Sequence, residues 1–128
     1  MIRMFLGAAI ASACAVGCAS IATAQGSYPE KALQLIVPFP AGGASDVTAR
    51  IVTQKLGERL NQTVIIDNRA GANGAIGATF VKQAKPDGYT LLIGSIGVYA
   101  INPGLFPDLK YDPQKDFVPV SNVYRTNY

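Results

Sequence analysis

Histidine and tryptophan are absent from the 128-residue sequence, and its two cysteines are Cys14 and Cys18. Beyond residue 24 the chain therefore carries neither a thiol nor an imidazole. These absences exclude disulfide bonds, cysteine nucleophiles, histidine-based triads and Cys/His metal sites from that part of the chain. We expect no catalytic residue, no metal site and no cofactor.

An excess of charge of one sign is also missing. Of the 11 basic residues only Arg3 lies in the first 24, which leaves 10 basic against 8 acidic residues and a net charge of +2. The two signs are interspersed and no run of Lys or Arg occurs. Nucleic acids and anionic membrane surfaces are bound through such basic runs. We expect no nucleic-acid partner.

The first 24 residues have the organisation of a secretory signal peptide. Arg3 gives a positive start, Met4 to Val16 are mostly apolar, and Ala22-Thr-Ala24 forms a cleavage motif before Gln25. The apolar stretch is too short for a membrane anchor, so we expect an exported chain with no transmembrane span after cleavage. A lipoprotein acylated at Cys18 is the alternative, although the three residues before it form only a loose lipobox.

The stretch from residue 33 to residue 61 predicts a strand, a bare turn and a helix. Leu33 to Val37 form an apolar run, which two prolines end because proline cannot donate to a sheet. Ala41-Gly-Gly-Ala44 is a turn with almost no side chains. Apolar residues then recur at helical spacing from Asp46 to Leu60, with Asn61 as the C-cap.

Such a turn has two interpretations. Unpaired N–H groups at the start of a helix, together with the helix dipole, form a site for an anion. Alternatively, Gly42 and Gly43 only allow a tight turn. Asp46 also has two interpretations. Its carboxylate would stabilise the helix start as a cap, or it would bind an ammonium group on a ligand.

The remaining chain predicts an α/β fold. Residues 63–67 and 89–94 form two further strands, and a glycine-rich turn over residues 68–77 leads into a helix that ends near Lys85. Alternating strands and helices at this spacing predict an open parallel sheet with helices on both faces. We expect the strand order 2-1-3.

Ligands of open α/β sheets bind where the strand order reverses, at the carboxyl ends of the strands. With the order 2-1-3, the loops of residues 39–46 and 95–102 flank that point. The second loop offers Ser95, Tyr99 and Asn102 as hydrogen-bonding side chains. Neither loop holds a pair of residues for acid–base chemistry, so the composition indicates that an anion is held there without reacting.

A dinucleotide-binding enzyme is the main rival interpretation. Asp67 lies about 20 residues after the first glycine turn, where such domains keep a ribose-binding acid. However, the first turn lacks the spacing G-x-G-x-x-G, and the triplet Gly71, Gly74 and Gly77 follows the wrong strand. An exported α/β enzyme that binds a nucleotide or phosphate remains the alternative function.

Five blocks of sequence keep the order and spacing of a known family. They are Tyr28-Pro29 with residues 35–46, and then residues 67–77, 85–94, 100–103 and 111–120. In these blocks the chain resembles the extracytoplasmic solute receptors of the tripartite tricarboxylate transporter system, the TctC-like Bug family. The resemblance covers essentially the whole chain after the signal peptide.

The resemblance implies one lobe of a type II-like periplasmic binding protein. Such receptors close two lobes on a small organic acid and deliver it to membrane subunits of the transporter. Backbone amides of the first turn hold the ligand carboxylate, which maps onto Ala41, Gly42, Gly43 and Ala44. Ser95 corresponds to a hydroxyl residue of the cleft, and Tyr99 stands where many relatives have histidine.

Length is the main departure from the family, whose members are roughly twice this size. We expect a signal peptide over residues 1–24, an N-terminal α/β lobe over residues 25–118, and the start of a crossover over residues 119–128. On this interpretation the chain is an N-terminal fragment whose second lobe is absent. The identity of the carboxylate is not encoded by backbone amides.

Overall fold

The computed structural model describes residues 28–125. The predicted signal peptide, the alternative lipid anchor at Cys18 and the mature start at Gln25 all lie outside the described residues. Within residues 28–125 no helix has both the length and the apolar character that a membrane crossing requires.

Three parallel strands form the centre of the described residues. Strand β1 covers Leu33–Val37, β2 covers Val64–Asn68 and β3 covers Thr90–Leu92. Strand β1 lies in the middle, in the order β2-β1-β3. The predicted open parallel sheet and its order are confirmed, and β1 has the predicted bounds. Strand β3 is shorter than the predicted run of residues 89–94.

Helix α1 covers Ala44–Leu60 and ends at Asn61, which has the left-handed conformation expected of a C-cap, with φ 50°. Its predicted start at Asp46 is wrong by two residues. Gly43 takes the N-cap position in extended backbone, with φ −76° and ψ 170°. Asp46 consequently lies inside the first turn of the helix, where an acidic side chain interacts favourably with the dipole.

The second crossover contains a single 3₁₀ turn over Ala72–Gly74 and helix α2 over Ala75–Gln83. The described residues 118–125 have no regular secondary structure, and Val118 and Val120 are almost fully exposed. The division of the chain between residues 118 and 119 stays a prediction.

The segment that follows β3 differs most from the sequence prediction. Residues 95–102 were predicted to form a loop, but Gly97–Ile101 form a π-helical turn that continues into helix α3 over Asn102–Leu105. Pro103 was expected to break a helix. It lies in the first turn of α3, where the N–H group that proline lacks would have no partner in any case.

Helices cover both faces of the sheet, as predicted. On one face Leu35 and Val37 pack with Ala49 of α1. On the other face Ala78 of α2 packs with Val98 and Tyr111. Strand β2 was predicted to be buried on both faces, but Ile65 is 52% exposed, because within the described residues nothing packs closely over its side chain.

Candidate functional site

The loops that follow the three strands leave the sheet at one edge. The Ile93 N–H donates to the Ile36 carbonyl at 3.0 Å, and the Arg69 N–H donates to the Val37 carbonyl at 2.8 Å. These bonds extend the sheet pairing to Val37, the last residue of β1, on the β2 side and to Ile36 on the β3 side. The turn before α1 is therefore flanked by the loops after β2 and β3, where ligands of open α/β sheets bind.

The start of α1 presents a row of backbone donors. The first bond of the helix joins the Val47 N–H to the Gly43 carbonyl at 3.0 Å. The N–H groups of Ala44, Ser45 and Asp46 precede this bond, and no acceptor within residues 28–125 pairs with them. Unpaired amides and the dipole of a 17-residue helix together favour an anion at this point.

The four residues predicted to hold the ligand through backbone amides are all exposed. They do not contribute equally. The Gly42 N–H is already bonded to the Asp46 carboxylate at 2.9 Å, and the Gly43 N–H makes a long bond of 3.4 Å to the Pro40 carbonyl. The available donors are consequently shifted toward the helix, to Ala44 and Ser45.

The two glycines of the turn have different roles. Gly42 has a positive φ of 83°, which side chains other than glycine adopt only with strain. Gly43 has an ordinary φ, and a Cβ added there would meet only the Pro40 carbonyl oxygen, at 3.4 Å. Gly42 is therefore required by the turn geometry, whereas the bare surface at Gly43 leaves room above the helix start.

The Asp46 side chain is buried beneath this turn, at 2% exposure. Its carboxylate accepts hydrogen bonds from Gly42 N at 2.9 Å, Arg50 Nε at 2.9 Å and Nη2 at 3.3 Å, and Asn68 Nδ2 at 3.0 Å. Four bonds occupy both oxygens. This favours its interpretation as a residue that fixes the helix start over one that grips a ligand ammonium.

These bonds also set the charge state of Asp46. Hydrogen bonds from Arg50, from the Gly42 backbone and from Asn68 lower the pKa of this carboxyl to about 2, although burial opposes the shift. Asp46 is consequently ionised at any physiological pH. The negative charge lies in the same turn as the free amides, and the Arg50 guanidinium pairs with it.

Ser95 and Tyr99 lie in the segment that follows β3. The Tyr99 ring covers Gly94, where an added Cβ would lie 2.7 Å from the Tyr99 hydroxyl, and it makes an edge-on contact with Phe117 at 6.1 Å between centroids. Burial raises the pKa of Tyr99, which therefore stays neutral. Ser95 is partly exposed, and its carbonyl accepts the Tyr99 N–H at 3.1 Å.

Asn102, the third side chain predicted for this loop, is fully buried. Its carbonyl oxygen accepts from Asn73 Nδ2 at 2.8 Å, and its amide donates to the Asn73 carbonyl and the Tyr111 hydroxyl, both at 3.1 Å. The Tyr111 hydroxyl in turn donates to the Val98 carbonyl at 2.6 Å. Asn102 thus connects the loop after β2 to the helical segment after β3.

Sequence reasoning missed three residues that shape this edge, namely Arg50, Asn68 and Asn73. Arg50 stands four residues after Asp46, the spacing at which opposite charges pair on a helix, so the sequence did carry this signal. Asn68 Nδ2 bonds both the Phe39 carbonyl and Asp46, a contact between distant segments that no local pattern indicates. Asn73 has a left-handed φ of 51°, which asparagine tolerates better than most residues.

Two concave surfaces lie outside the turn before α1, and Arg50 lines one of them. A groove of about 520 Å³ separates α2 from residues 106–110 and is mainly apolar, and a hollow of about 390 Å³ lies between α1 and β2. Within residues 28–125 no cluster of three His, Cys, Asp or Glu side chains could hold a metal ion. The candidate site is the open edge at the start of α1.

Known proteins resemble this chain in both sequence and structure. The family described as tripartite tricarboxylate transporter family receptor (TctC) matches residues 48–128. The protein BugT of Bordetella pertussis is 44% identical over 98 residues, which cover 76% of this chain and 30% of BugT. The chain spans about 30% of the length of the curated relatives that it matches.

Two of the solved structures that this chain resembles contain a bound ligand. MatC from Rhodopseudomonas palustris, with bound malate, is 42% identical with a TM-score of 0.70, over 73% of this chain and 32% of MatC. A second R. palustris protein, with adipate, is 39% identical with a TM-score of 0.66, over 68% of this chain and 29% of that protein. By its sequence match and its fold, the chain belongs to the tripartite tricarboxylate transporter family of receptors, whose members are periplasmic solute-binding proteins.

Proposed function

We propose that this protein is an extracytoplasmic receptor that captures a small carboxylate through the backbone amides at the start of α1. The observation that carries the proposal is the row of unpaired N–H groups at Ala44, Ser45 and Asp46, in a turn without bulky side chains. The malate and adipate in related structures support a dicarboxylate as the ligand class.

The residues around this turn divide into contacts and supports. We expect the amides of Ala44, Ser45 and Asp46 to hold one ligand carboxylate, and the Ser95 and Tyr99 hydroxyls to contact the ligand from the loop after β3. Asn102 keeps that loop in place from the interior, because its amide is fully engaged. Asp46 fixes the turn through its bond to the Gly42 N–H.

The proposed site binds and does not catalyse. Within residues 28–125 the charged side chain nearest to the free amides, Asp46, is committed to four hydrogen bonds and stays ionised. It therefore has no proton to donate and no free oxygen with which to abstract one. A receptor of this kind delivers its ligand to membrane subunits of the transporter, and no nucleotide or phosphate ligand is required.

The exposure of the turn limits the affinity that these residues supply by themselves. Each amide contact on a half-solvated ligand contributes about 0.5–1.5 kcal/mol, because it replaces a bond to water. Two or three such contacts, together with the attraction of the helix dipole, exceed an association cost of about 4 kcal/mol by only a small margin. We expect the described residues alone to bind dicarboxylates detectably at tens of millimolar and no more tightly than about millimolar.

Substitution at Gly43 tests the location of the site. Gly43 has a φ that valine readily adopts, and its added Cβ finds only an ordinary contact, so Gly43→Val should fold. The branched side chain would cover the free amides and should weaken L-malate binding at least fivefold, or about 1 kcal/mol. Ligand-observed NMR titration measures this, with Gly104→Val as the control, because nothing lies within 4 Å of an added Cβ there.

Undiminished affinity of a folded Gly43→Val protein would place the carboxylate elsewhere.

Export of the chain is tested by a separate experiment. We propose that residues 1–24 direct the chain to the periplasm and are removed before Gln25, as the motif Ala22-Thr-Ala24 indicates. N-terminal sequencing of the periplasmic protein should begin at Gln25, and a chain that begins at an acylated Cys18 would refute cleavage at that position.

A further inference from the structure

The proposed carboxylate site contains a negative charge of its own. The Asp46 side chain is 2% exposed, accepts the Gly42 N–H at 2.9 Å, and belongs to the same helical turn as the free amides of Ala44 and Ser45. A lone buried carboxylate at that position would repel an anionic ligand and would cancel part of the helix dipole. The turn therefore needs a compensating positive charge.

Arg50 is placed to supply that charge. It stands one helical turn after Asp46, and its guanidinium contacts both carboxylate oxygens, with Nε 2.9 Å from Oδ2 and Nη2 3.3 Å from Oδ1. Two-point contact fixes the plane of the carboxylate as well as its charge. The Arg50 side chain is 59% exposed, so its guanidinium remains readily hydrated.

Asn68 completes the arrangement from the end of β2. Its side-chain amide donates to Asp46 Oδ1 at 3.0 Å and to the Phe39 carbonyl at 3.2 Å. Asp46 is thereby held between the helix, the turn before it and the neighbouring strand. Because the Asp46 carboxylate must stay within hydrogen-bond distance of the Gly42 N–H, its negative charge also stays close to the proposed ligand.

We infer that Arg50 is a positioning residue that makes the start of α1 receptive to carboxylates by neutralising Asp46. The inference rests on the proposed function, because it concerns the same site. Asp46 provides the geometry of the turn, and Arg50 removes the electrostatic penalty of having a carboxylate there. A simple stabilising pair on a helix would instead affect folding and leave the affinity for ligand unchanged.

The test measures L-malate affinity of the purified protein by ligand-observed NMR at low and high ionic strength. Arg50→Met keeps most of the side-chain stem and exposes the ligand to the uncompensated Asp46 charge. At low salt we expect binding to weaken about three- to tenfold, and we expect this deficit to shrink in about 1 M salt, where the Debye length is about 3 Å. Arg59→Met is the matched control, because it removes the same charge nine residues further along α1, about 14 Å from Arg50.

Two further variants separate charge from stability. Asp46→Asn combined with Arg50→Met removes both charges, and we expect most of the lost affinity to return. Arg50→Lys keeps the charge without the two-point contact and should bind within about twofold of the unmodified protein. If Arg50→Met fails to fold, Asp46→Asn alone decides the question, because it leaves the Arg50 cation uncompensated and should bind L-malate more tightly.

The outcomes are distinguishable. Unchanged affinity of Arg50→Met at low salt, or a double variant as weak as Arg50→Met, overturns the inference while the carboxylate site stands. Weaker or equal binding by Asp46→Asn overturns it as well. Absence of L-malate binding by the unmodified protein at tens of millimolar would refute the proposed function, and the inference would fall with it.

Discussion

Removal of the Tyr111 hydroxyl tests the buried network that supports the site. Tyr111 is 4% exposed, and its hydroxyl donates to the Val98 carbonyl at 2.6 Å and accepts from Asn102 Nδ2 at 3.1 Å. Phenylalanine keeps the ring and its edge-on contact with Phe117 at 5.6 Å between centroids. Tyr111→Phe therefore changes the hydrogen bonding of two buried groups and little else.

The structure sets the size of the effect. A buried donor or acceptor that loses its partner costs about 1–3 kcal/mol. Val98 and Asn102 are both fully buried, so water does not replace the hydroxyl without a rearrangement. Asn102 keeps its two bonds to Asn73, which places its share at the low end of the range. We expect a total loss of about 2–4 kcal/mol.

Urea denaturation followed by circular dichroism measures this loss as a difference in the free energy of unfolding. A loss of that size should also lower the melting temperature by at least about 8 °C for a domain of this length. Tyr124→Phe is the matched control, because Tyr124 is 44% exposed and removal of its hydroxyl should change stability by less than about 0.5 kcal/mol. A loss below about 1 kcal/mol for Tyr111→Phe would refute the reasoning that this network holds the loops in place.

Two further predictions concern packing and pH. Gly77→Ala should destabilise the protein by about 1–3 kcal/mol in urea denaturation, because its Cβ would lie 2.8 Å from Pro38 Cβ. Gly104→Ala, with nothing within 4 Å, should be neutral or stabilising, and an equal loss in both variants would contradict the packing argument. Stability should also fall as the pH drops from about 4 to about 2, because the pKa of Asp46 is about 2 in the folded chain against 3.8 ordinarily. Asp46→Asn should reduce that slope, and an unchanged slope would contradict the hydrogen bonding described for this carboxyl.

The framework of the fold was predictable because it depends on local patterns. The apolar run at Leu33–Val37 and the prolines after it define β1 to the residue. Alternating strands and right-handed crossovers then leave few arrangements, and the expected order 2-1-3 is the one observed. Asn61 was recognised as a C-cap because asparagine tolerates the left-handed conformation.

Predictions failed where a contact between distant residues outweighs a local preference. The helix was expected to begin at Asp46 because serine and aspartate favour the N-cap position. Instead Gly43 takes that position, because Asp46 one turn later bonds back to the Gly42 N–H and across to Asn68. The spacing of Asp46 and Arg50 was visible in the sequence, but the bond from Asn68, at the end of β2, to Asp46 was not.

In the segment after β3, contacts between distant residues again outweigh the local sequence pattern. Gly94, Gly97 and Pro103 read as features of a loop, yet the two glycines provide space for the side chains of Tyr99 and Asn73. Asn102 was therefore grouped with surface residues of a loop, although it lies in the interior. A buried asparagine is recognisable only when its partners, Asn73 and Tyr111, are known to be adjacent.

Amide-resolved NMR tests the central claim most directly. A ¹H–¹⁵N titration of the purified protein with L-malate, at constant pH and ionic strength, reports each backbone N–H separately. We expect saturable shifts that are largest at Ala44, Ser45 and Asp46, with smaller shifts at Ser95 and Tyr99, and none of comparable size with an equal concentration of chloride. Shifts confined to the groove between α2 and residues 106–110, or no saturable shift at the start of α1, would contradict it.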